Sequence, residues 1–221
     1  MSGTNRFDQA AASWDELPRR VELARGVADE IARRIRFSPD LDVLDFGCGT
    51  GLLTLALSPL ARTVTGVDTS SGMLEVLAQK VRDQGIKNVK AALLGPDAAG
   101  FPSTHFHLVV SSMALHHVAG LAPLFRQFHG LLHPGGRVAL ADLDREDGSF
   151  HEDPTGVFHL GFDRGEIMAL LVDAGFRDLG ATTAVITRKQ GRDYPVFLIT
   201  GQRADCAHPE TNGHPTPRVS P

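Results

Sequence analysis

Val43-Leu44-Asp45-Phe46-Gly47-Cys48-Gly49-Thr50-Gly51 decides the fold: an apolar run carrying one acid ends on three alternating glycines. Leu52 to Leu57 then continue as a short apolar helix, stopped near Ser58-Pro59. This is the pattern of a buried strand that runs through a tight turn into a helix. Upstream, Val21, Ala24, Ala28, Ile31 and Ile35 step by three and four along one helical face, until Ser38-Pro39-Asp40 breaks the helix. Downstream the alternation repeats. Thr63 to Asp68 reads as a second strand. Ser71 is expected to cap the next helix, with Glu75 in its first turn and Met73, Leu74, Leu77 and Val81 as its apolar stripe. Asn88 to Leu94, His105 to Ser111 and Arg137 to Leu143 read as three further strands. Leu121, Leu124, Phe125, Phe128, Leu131 and Leu132 recur at helical spacing before Pro134-Gly135-Gly136. Asp163-Arg164-Gly165-Glu166 has the form of a capping box, and Gly175 is placed to end that helix. Thr182 to Thr187 and Tyr194 to Thr200 are joined by six polar residues, too few for a crossover helix, so an antiparallel hairpin is expected.

Five strands alternating with helices predict an α/β fold, Rossmann-like and doubly wound. Its sheet should be mostly parallel, with helices on both faces and an antiparallel C-terminal hairpin strand. One domain is expected over residues 1–203, with residues 1–37 as an N-terminal helical segment. Residues 204–221 lose apolar side chains and gather prolines, so they read as a disordered tail. Of the 221 residues, 42% are hydrophobic and 22% charged, with a net charge of −4, so bulk electrostatics favour no nucleic-acid partner. No apolar run approaches the ~18 residues of a membrane span, and the polar N-terminus does not resemble a secretory leader. Cys48 and Cys206 are too few for a disulfide framework, which points to a reducing cytoplasm.

In open α/β sheets ligands bind at the carboxyl ends of the strands, which directs attention to the glycine turn. A lone Gly-x-Gly serves any tight turn. Here it stands between a strand and a helix, with Asp45 before it and Asp68 at the end of the next strand. A dinucleotide needs G-x-G-x-x-G, but Leu52 occupies the third glycine's place and Gly51 comes one residue early. Asp45 would also repel a pyrophosphate. A phosphate-free ligand with an ammonium group fits better, its cation held by Asp45 and its ribose hydroxyls by Asp68. That ligand is S-adenosylmethionine.

VLDFGCGTGLLTLAL (43–57) resembles motif I of the class I S-adenosylmethionine-dependent methyltransferases, and VTGVDTSSGML (64–74) their second motif. HLVVSSMALHHV and LLHPGGRVALAD resemble their fourth and fifth strands. The likeness runs from about Phe7 to Arg203 and is most marked with the small UbiE-like branch. It implies that Asp45, Gly47, Cys48, Gly49, Thr50 and Gly51 surround the methionine part, with Asp68 and Thr69 at the ribose. It also implies that Met73 lies near the adenine, with Asp97-Ala98 at the adenine edge. Ser112 and Trp14 complete the expected cofactor-binding set. Phe7-Asp8 and Trp14-Asp15 resemble the N-terminal segment that folds over the cofactor in this branch, although simple packing of the N-terminal helix would equally account for Trp14. Phe106-His107 departs from the usual Phe-Asp at the start of strand four, a position expected to be structural.

Methyl transfer is an in-line displacement at an already activated methyl group, so no nucleophile motif is required. Candidate acceptor-side groups are His116-His117, Asp142, Asp144, Asp147, His151 and His159. His117 and His151 are the preferred candidates for proton transfer. Phe101, Phe150, Phe158 and Phe162 could line an apolar pocket. The His and Cys spacing matches no metal-ligand pattern, so no metal is expected. Ser111-Ser112-Met113-Ala114 stands where base methyltransferases carry an Asn/Asp-Pro-Pro-Tyr motif, so a small-molecule acceptor is expected. The rivals are a catalytically silent S-adenosylmethionine-binding module acting through a partner, and a nicotinamide-dependent oxidoreductase.

Overall fold

The computed structural model describes residues 3–95 and 100–204. Among them seven strands form one sheet in the order β3-β2-β1-β4-β5-β7-β6. The strands are β1 (Asp42–Phe46), β2 (Thr63–Asp68), β3 (Val89–Leu93), β4 (Phe106–Ser112), β5 (Leu132–Leu143), β6 (Phe176–Lys189) and β7 (Arg192–Arg203). The helices are α1 (Gly3–Ala10), α2 (Pro18–Arg34), α3 (Leu52–Leu57), α4 (Ser71–Asp83), α5 (Leu121–Leu131) and α6 (Arg164–Asp173), with a 3₁₀ turn at Ala11–Glu16. Strands β1 to β5 pair in parallel, while β7 runs antiparallel to both β5 and β6. The antiparallel strand therefore lies inside the outermost strand, and β6 again points with the parallel set.

Strand side chains alternate between two cores. Val43, Leu108, Val110, Ala139, Ala141, Val196 and Leu198 pack with Val27 and Ile31 of α2 and Leu53 and Leu57 of α3. Leu44, Phe46, Val109, Val138, Leu140, Phe197 and Ile199 pack on the other face with Phe125 and Phe128 of α5 and Ile167 and Leu171 of α6. Both faces are covered, which is why these strands read as near-continuous apolar runs. The fold class and the hairpin follow the expectation.

Several boundaries differ. Ser70, not Ser71, caps α4 by accepting the Met73 N–H at 3.2 Å, and Glu75 lies beyond the first turn. Strand β5 begins at Leu132, with Pro134-Gly135-Gly136 absorbed as an irregularity between the Phe106–Leu132 and Leu108–Arg137 pairs. Asp163 caps α6 through the Glu166 N–H, as the capping box implies. The expected tail, residues 204–221, lies outside the described residues apart from Ala204.

Candidate active site

Strand order reverses between β1 and β4, so their carboxyl ends open a crevice where the connections diverge to opposite sides. The Ser111 hydroxyl ties the two ends together by donating to the Phe46 carbonyl at 2.9 Å. The turn after β1 is built on left-handed backbone: φ is +70° at Gly47, +53° at Gly49 and +84° at Gly51. A Cβ on Gly47 would lie 2.3 Å from that of Ala114, and one on Gly51 would lie 2.3 Å from a Leu77 methyl. Side chains are excluded here by both strain and space. The Gly47 and Cys48 N–H groups donate to the Val67 carbonyl, at 2.8 and 3.1 Å, which locks the turn to the end of β2.

Asp45 and Asp68 open onto one cavity of about 470 Å³. Asp68 is held by the turn itself, its oxygens accepting the Gly49 N–H at 2.8 Å and the Ser70 N–H at 2.9 Å. Asp45 is 1% exposed and accepts the Thr54 hydroxyl at 2.5 Å. Burial, and secondarily the charge of Asp68, push the Asp45 carboxyl up to about 7, against the pull of the Thr54 hydrogen bond. Burial likewise raises Asp68, although backbone N–H groups from Ser70 and Gly49 oppose it. The Asp68 charge disfavours that of Asp45, and the Asp8 charge that of Asp68, so a cation would relieve the site.

The cavity wall also includes Trp14, Gly47, Cys48, Gly49, Thr50, Thr69, Met73, Ser112, His117 and His151, which brings together most of the residues singled out from the sequence. Gly51 is not among these wall residues and takes the N-cap position of α3 in the left-handed conformation. Asp97 and Ala98 lie outside the described residues. Cys48 is buried against Leu74 and Leu77.

The N-terminal segment closes the crevice. Asp8 accepts the Ser70 hydroxyl at 2.5 Å and the Gly72 N–H at 2.9 Å. Asp15 accepts the Thr50 hydroxyl at 2.6 Å and pairs with Lys80, which also donates to the Thr50 carbonyl at 2.8 Å. Phe7 meets Trp14 edge-on at 5.8 Å between ring centroids and His117 at 5.1 Å. Phe7-Asp8 and Trp14-Asp15 are the pairs whose resemblance implies a segment over the cofactor, but periodicity gives no hint of the groups that Asp8 and Asp15 pair with.

At the far end, the 3₁₀ turn Leu115–His117 after β4 faces the end of β5. Buried His116 and Asp142 join at 2.7 Å, and the Leu143 N–H donates to the same carboxylate oxygen at 2.8 Å. Burial opposes ionisation of Asp142, yet His116 beside it holds the carboxyl below the usual carboxylate range. His117 places Nδ1 at 2.7 Å from the Gly156 carbonyl, which can only accept, so Nδ1 carries the proton and Nε2 the lone pair. Burial first and His116 second hold His117 down to about 4, and the same two causes in the same order hold His151 down to about 4. The Nε2 atom of His151 is buried with no hydrogen-bond partner among the described residues.

The other candidates serve structure. Asp144 pairs with Arg164, Asp147 with Arg192, and His159 donates to the Val118 carbonyl at 2.9 Å. Of the four phenylalanines, only Phe150 lines the cavity. Phe101 stacks on Phe46, Phe162 packs against Phe197, and Phe158 is 60% exposed. His107 accepts the Asp42 N–H at 3.1 Å at the opposite end of the strands, consistent with a structural part. Among the described residues, no group of three or more His, Cys, Asp or Glu is arranged to hold a metal, and no helix is long and apolar enough to cross a membrane.

Residues 43–136 match the methyltransferase domain family. An uncharacterised methyltransferase of Schizosaccharomyces pombe is 36% identical over 118 residues, which cover 50% of this chain and 42% of the relative. The ubiquinone/menaquinone biosynthesis C-methyltransferase UbiE of Shewanella sediminis is 32% identical over 111 residues, covering 48% of this chain and 44% of that protein. The chain thus spans less than half the length of these curated relatives. The aklanonic acid methyltransferase of a Streptomyces strain matches over 67% of its length and 66% of this chain at 26% identity. Among solved structures, YcgJ of Bacillus subtilis superposes with a TM-score of 0.66 at 19% identity, over 81% of this chain and 98% of that one. A chain from the Haloferax volcanii complex of the Trm112 activator with a methyltransferase superposes with a TM-score of 0.73 at 16% identity, over 90% of this chain and 97% of that one. Residues 43–136 are thus similar to a methyltransferase domain, and the strand order and the solved structures agree on its Rossmann-like fold.

Proposed function

We propose that this chain binds S-adenosylmethionine in the crevice and transfers its methyl group to a small organic acceptor. The observation that carries the reading is that Asp45 and Asp68, ending neighbouring parallel strands on either side of the glycine turn, line one cavity. In this reading Asp45 holds the ammonium of the amino-acid end, and Asp68 accepts the ribose hydroxyls with its remaining lone pairs. The backbone of Gly47, Cys48, Gly49 and Thr50 lies along the ligand, with Thr69, Met73, Ser112 and Trp14 closing around it. Gly51 contributes the bend alone. The fit is chemical as well as spatial, since a cationic, phosphate-free ligand offsets the burial and, secondarily, the Asp68 charge that keep Asp45 near 7.

When bound, the cofactor supplies a methyl group activated by a positive sulfur. The protein's part is then to align an acceptor and keep water out, which the pinned N-terminal segment serves. His117 and His151 present neutral imidazole across the physiological range, because both lie near 4. A neutral Nε2 lone pair can orient an acceptor O–H or N–H and take its proton as the new bond forms. The His116–Asp142 pair acts one step back, as a positioning pair for the ring tilted against it: His116 and His117 lie 4.1 Å apart between centroids.

The acceptor as a small molecule, rather than a protein or nucleic acid, is supported by the half-enclosed cavity and the chain's net negative charge. A cytoplasmic site of action belongs to the same proposal, on the strength of the sparse cysteines. A methyl-transfer screen across small organic acids, phenols, amines and thiols, read through release of S-adenosylhomocysteine, tests the reading. Turnover with a member of the panel supports it. Cofactor binding with turnover only on a protein or RNA substrate would overturn the choice of acceptor.

A further inference from the structure

The acceptor end of the cavity carries charges that the methyl-transfer reading leaves without a task. Arg6, Arg19, Arg20 and Lys189 line it, along with Glu152 and Asp153. Both acids already have cationic partners: Arg6 lies 3.3 Å from Asp153, and Lys189 lies 3.1 Å from Glu152. Asp15, the nearest remaining acid, is paired with Lys80. Arg19 forms no ion pair among the described residues, and Arg20 donates one N–H to the Trp14 carbonyl at 3.0 Å, leaving the rest of its guanidinium uncommitted. Two adjacent cations are thus left over on the wall of a half-enclosed cavity.

Their position in the fold makes this surplus costly. Arg19 and Arg20 occupy the first turn of α2, which contains no acid, and its N-cap Leu17 makes no side-chain cap. The positive pole of a helix favours anions, so paired cations there oppose the dipole as well as each other. Burial, and then Arg19, depress Arg20 from the ordinary guanidinium value. Asp15 and Glu152 offset this only in part, since each has another cationic partner, and a local rule broken in this way marks a place where a ligand supplies the missing charge.

The surrounding wall is aromatic. The Arg20 guanidinium stands 3.6 Å from the Trp14 ring centroid, and that of Arg19 lies 5.2 Å from the Phe150 centroid. Phe150 in turn meets His151 at 5.1 Å, and Trp14 reaches His117 through Phe7. Two lines of rings therefore run from the arginine pair to the histidine pair. A flat molecule lying along them places one end at the guanidiniums and the other at the imidazoles.

Resting on the methyl-transfer reading, we propose that Arg19 and Arg20 form a carboxylate-binding wall that selects acceptors carrying an acid on a flat apolar body, with the methylated atom at the opposite end beside His117 and His151. Arg19 and Arg20 are then specificity-determining residues of the acceptor site. A carboxylate could also come from the cofactor's own amino-acid end, and the test separates the two sources.

The probes are benzoate and its neutral isostere benzamide, titrated by ligand-observed NMR into the full chain loaded with S-adenosylhomocysteine. Benzoate is expected to bind about tenfold more tightly than benzamide, the loss typical of a missing charge-assisted contact. Arg19→Gln and Arg20→Gln should each abolish that preference while leaving S-adenosylhomocysteine affinity unchanged, which also reports that the variants fold. Arg126→Gln, exposed on α5, should alter neither. Equal binding of benzoate and benzamide by the wild type would overturn the proposal. So would arginine variants that lose affinity for S-adenosylhomocysteine but not for methylthioadenosine, which lacks the carboxylate, because that result assigns the guanidiniums to the cofactor. Failure of the wild type to bind S-adenosylhomocysteine at all would instead overturn the reading beneath it.

Discussion

Cofactor affinity should depend on pH through Asp45, and the dependence can be worked out in advance. The Asp45 carboxyl lies near 7 in the free protein because it is buried and faces Asp68. A ligand carrying an ammonium and a sulfonium binds the ionised form, so binding releases the proton that the free protein holds. At pH 7 about half of the molecules carry that proton, and at pH 6 about nine in ten do. Affinity should therefore fall about tenfold per unit as pH drops below 7, roughly 1.4 kcal/mol per unit. Above about pH 8 the ligand's own amino group loses its charge, so affinity should peak between the two limits. His117 and His151, near 4, titrate below this window and do not contribute. Calorimetry with S-adenosylmethionine between pH 5.5 and 8, repeated in buffers of different ionisation heat, reads both the slope and the proton count, about one half at pH 7. In Asp45→Asn the slope should vanish and the plateau affinity fall by about tenfold or more. A flat wild-type profile below pH 7, or an equal slope in Asp45→Asn, would refute the reasoning.

The same raised carboxyl bears on stability. Its folded value exceeds the unfolded one, so its contribution is full at low pH and is lost as pH rises towards 7; Asp45→Asn should accordingly raise the apo-protein melting temperature at pH 8 and do so much less at pH 4. Gly47→Ala should cost about 2–4 kcal/mol in chemical denaturation, because it combines left-handed strain with a Cβ 2.3 Å from that of Ala114, and it should abolish cofactor binding. Asp15→Asn removes the charge pairing Lys80 while keeping a side chain that can meet Thr50, so the N-terminal segment should open, seen as faster hydrogen exchange over residues 6–16 with the melting temperature little changed. Asp142→Asn turns one acceptor oxygen into an NH2 group facing the buried N–H of His116 or of Leu143 and should destabilise the fold by about 1–3 kcal/mol in chemical denaturation.

Much of the fold was legible because two periodicities carry it. Strand side chains alternate between the α2–α3 and α5–α6 cores, and glycine turns punctuate the crossovers, so strand identity and sequence could be read from residue type alone. Strand ends could not. The start of β5 runs through Pro134-Gly135-Gly136, which local chemistry marks as a break, while pairing with Phe106 carries it back to Leu132. The cap of α4 shifted by one because Ser70 and Ser71 are equivalent in composition, and only the turn set by Asp68 chooses between them. The glycine turn with its two acids was visible as a ligand site because its spacing breaks the dinucleotide pattern. The acceptor end was visible only in pieces. His117 and His151 stand 34 positions apart, and nothing local pairs His116 with Asp142 or sets Arg19 beside Phe150. Those juxtapositions arise where the crossover after β4, the loop after β5 and the N-terminal segment converge, a matter of topology rather than local pattern.

The most direct test of the whole account is a calorimetric titration of S-adenosylhomocysteine into the wild type and Asp68→Ala at pH 7.5. The account predicts saturable one-to-one binding by the wild type, and a loss of about 2–3 kcal/mol in a variant that still unfolds cooperatively. Equal affinity in the two proteins would contradict the placement of the ribose. No heat from either would contradict the site itself.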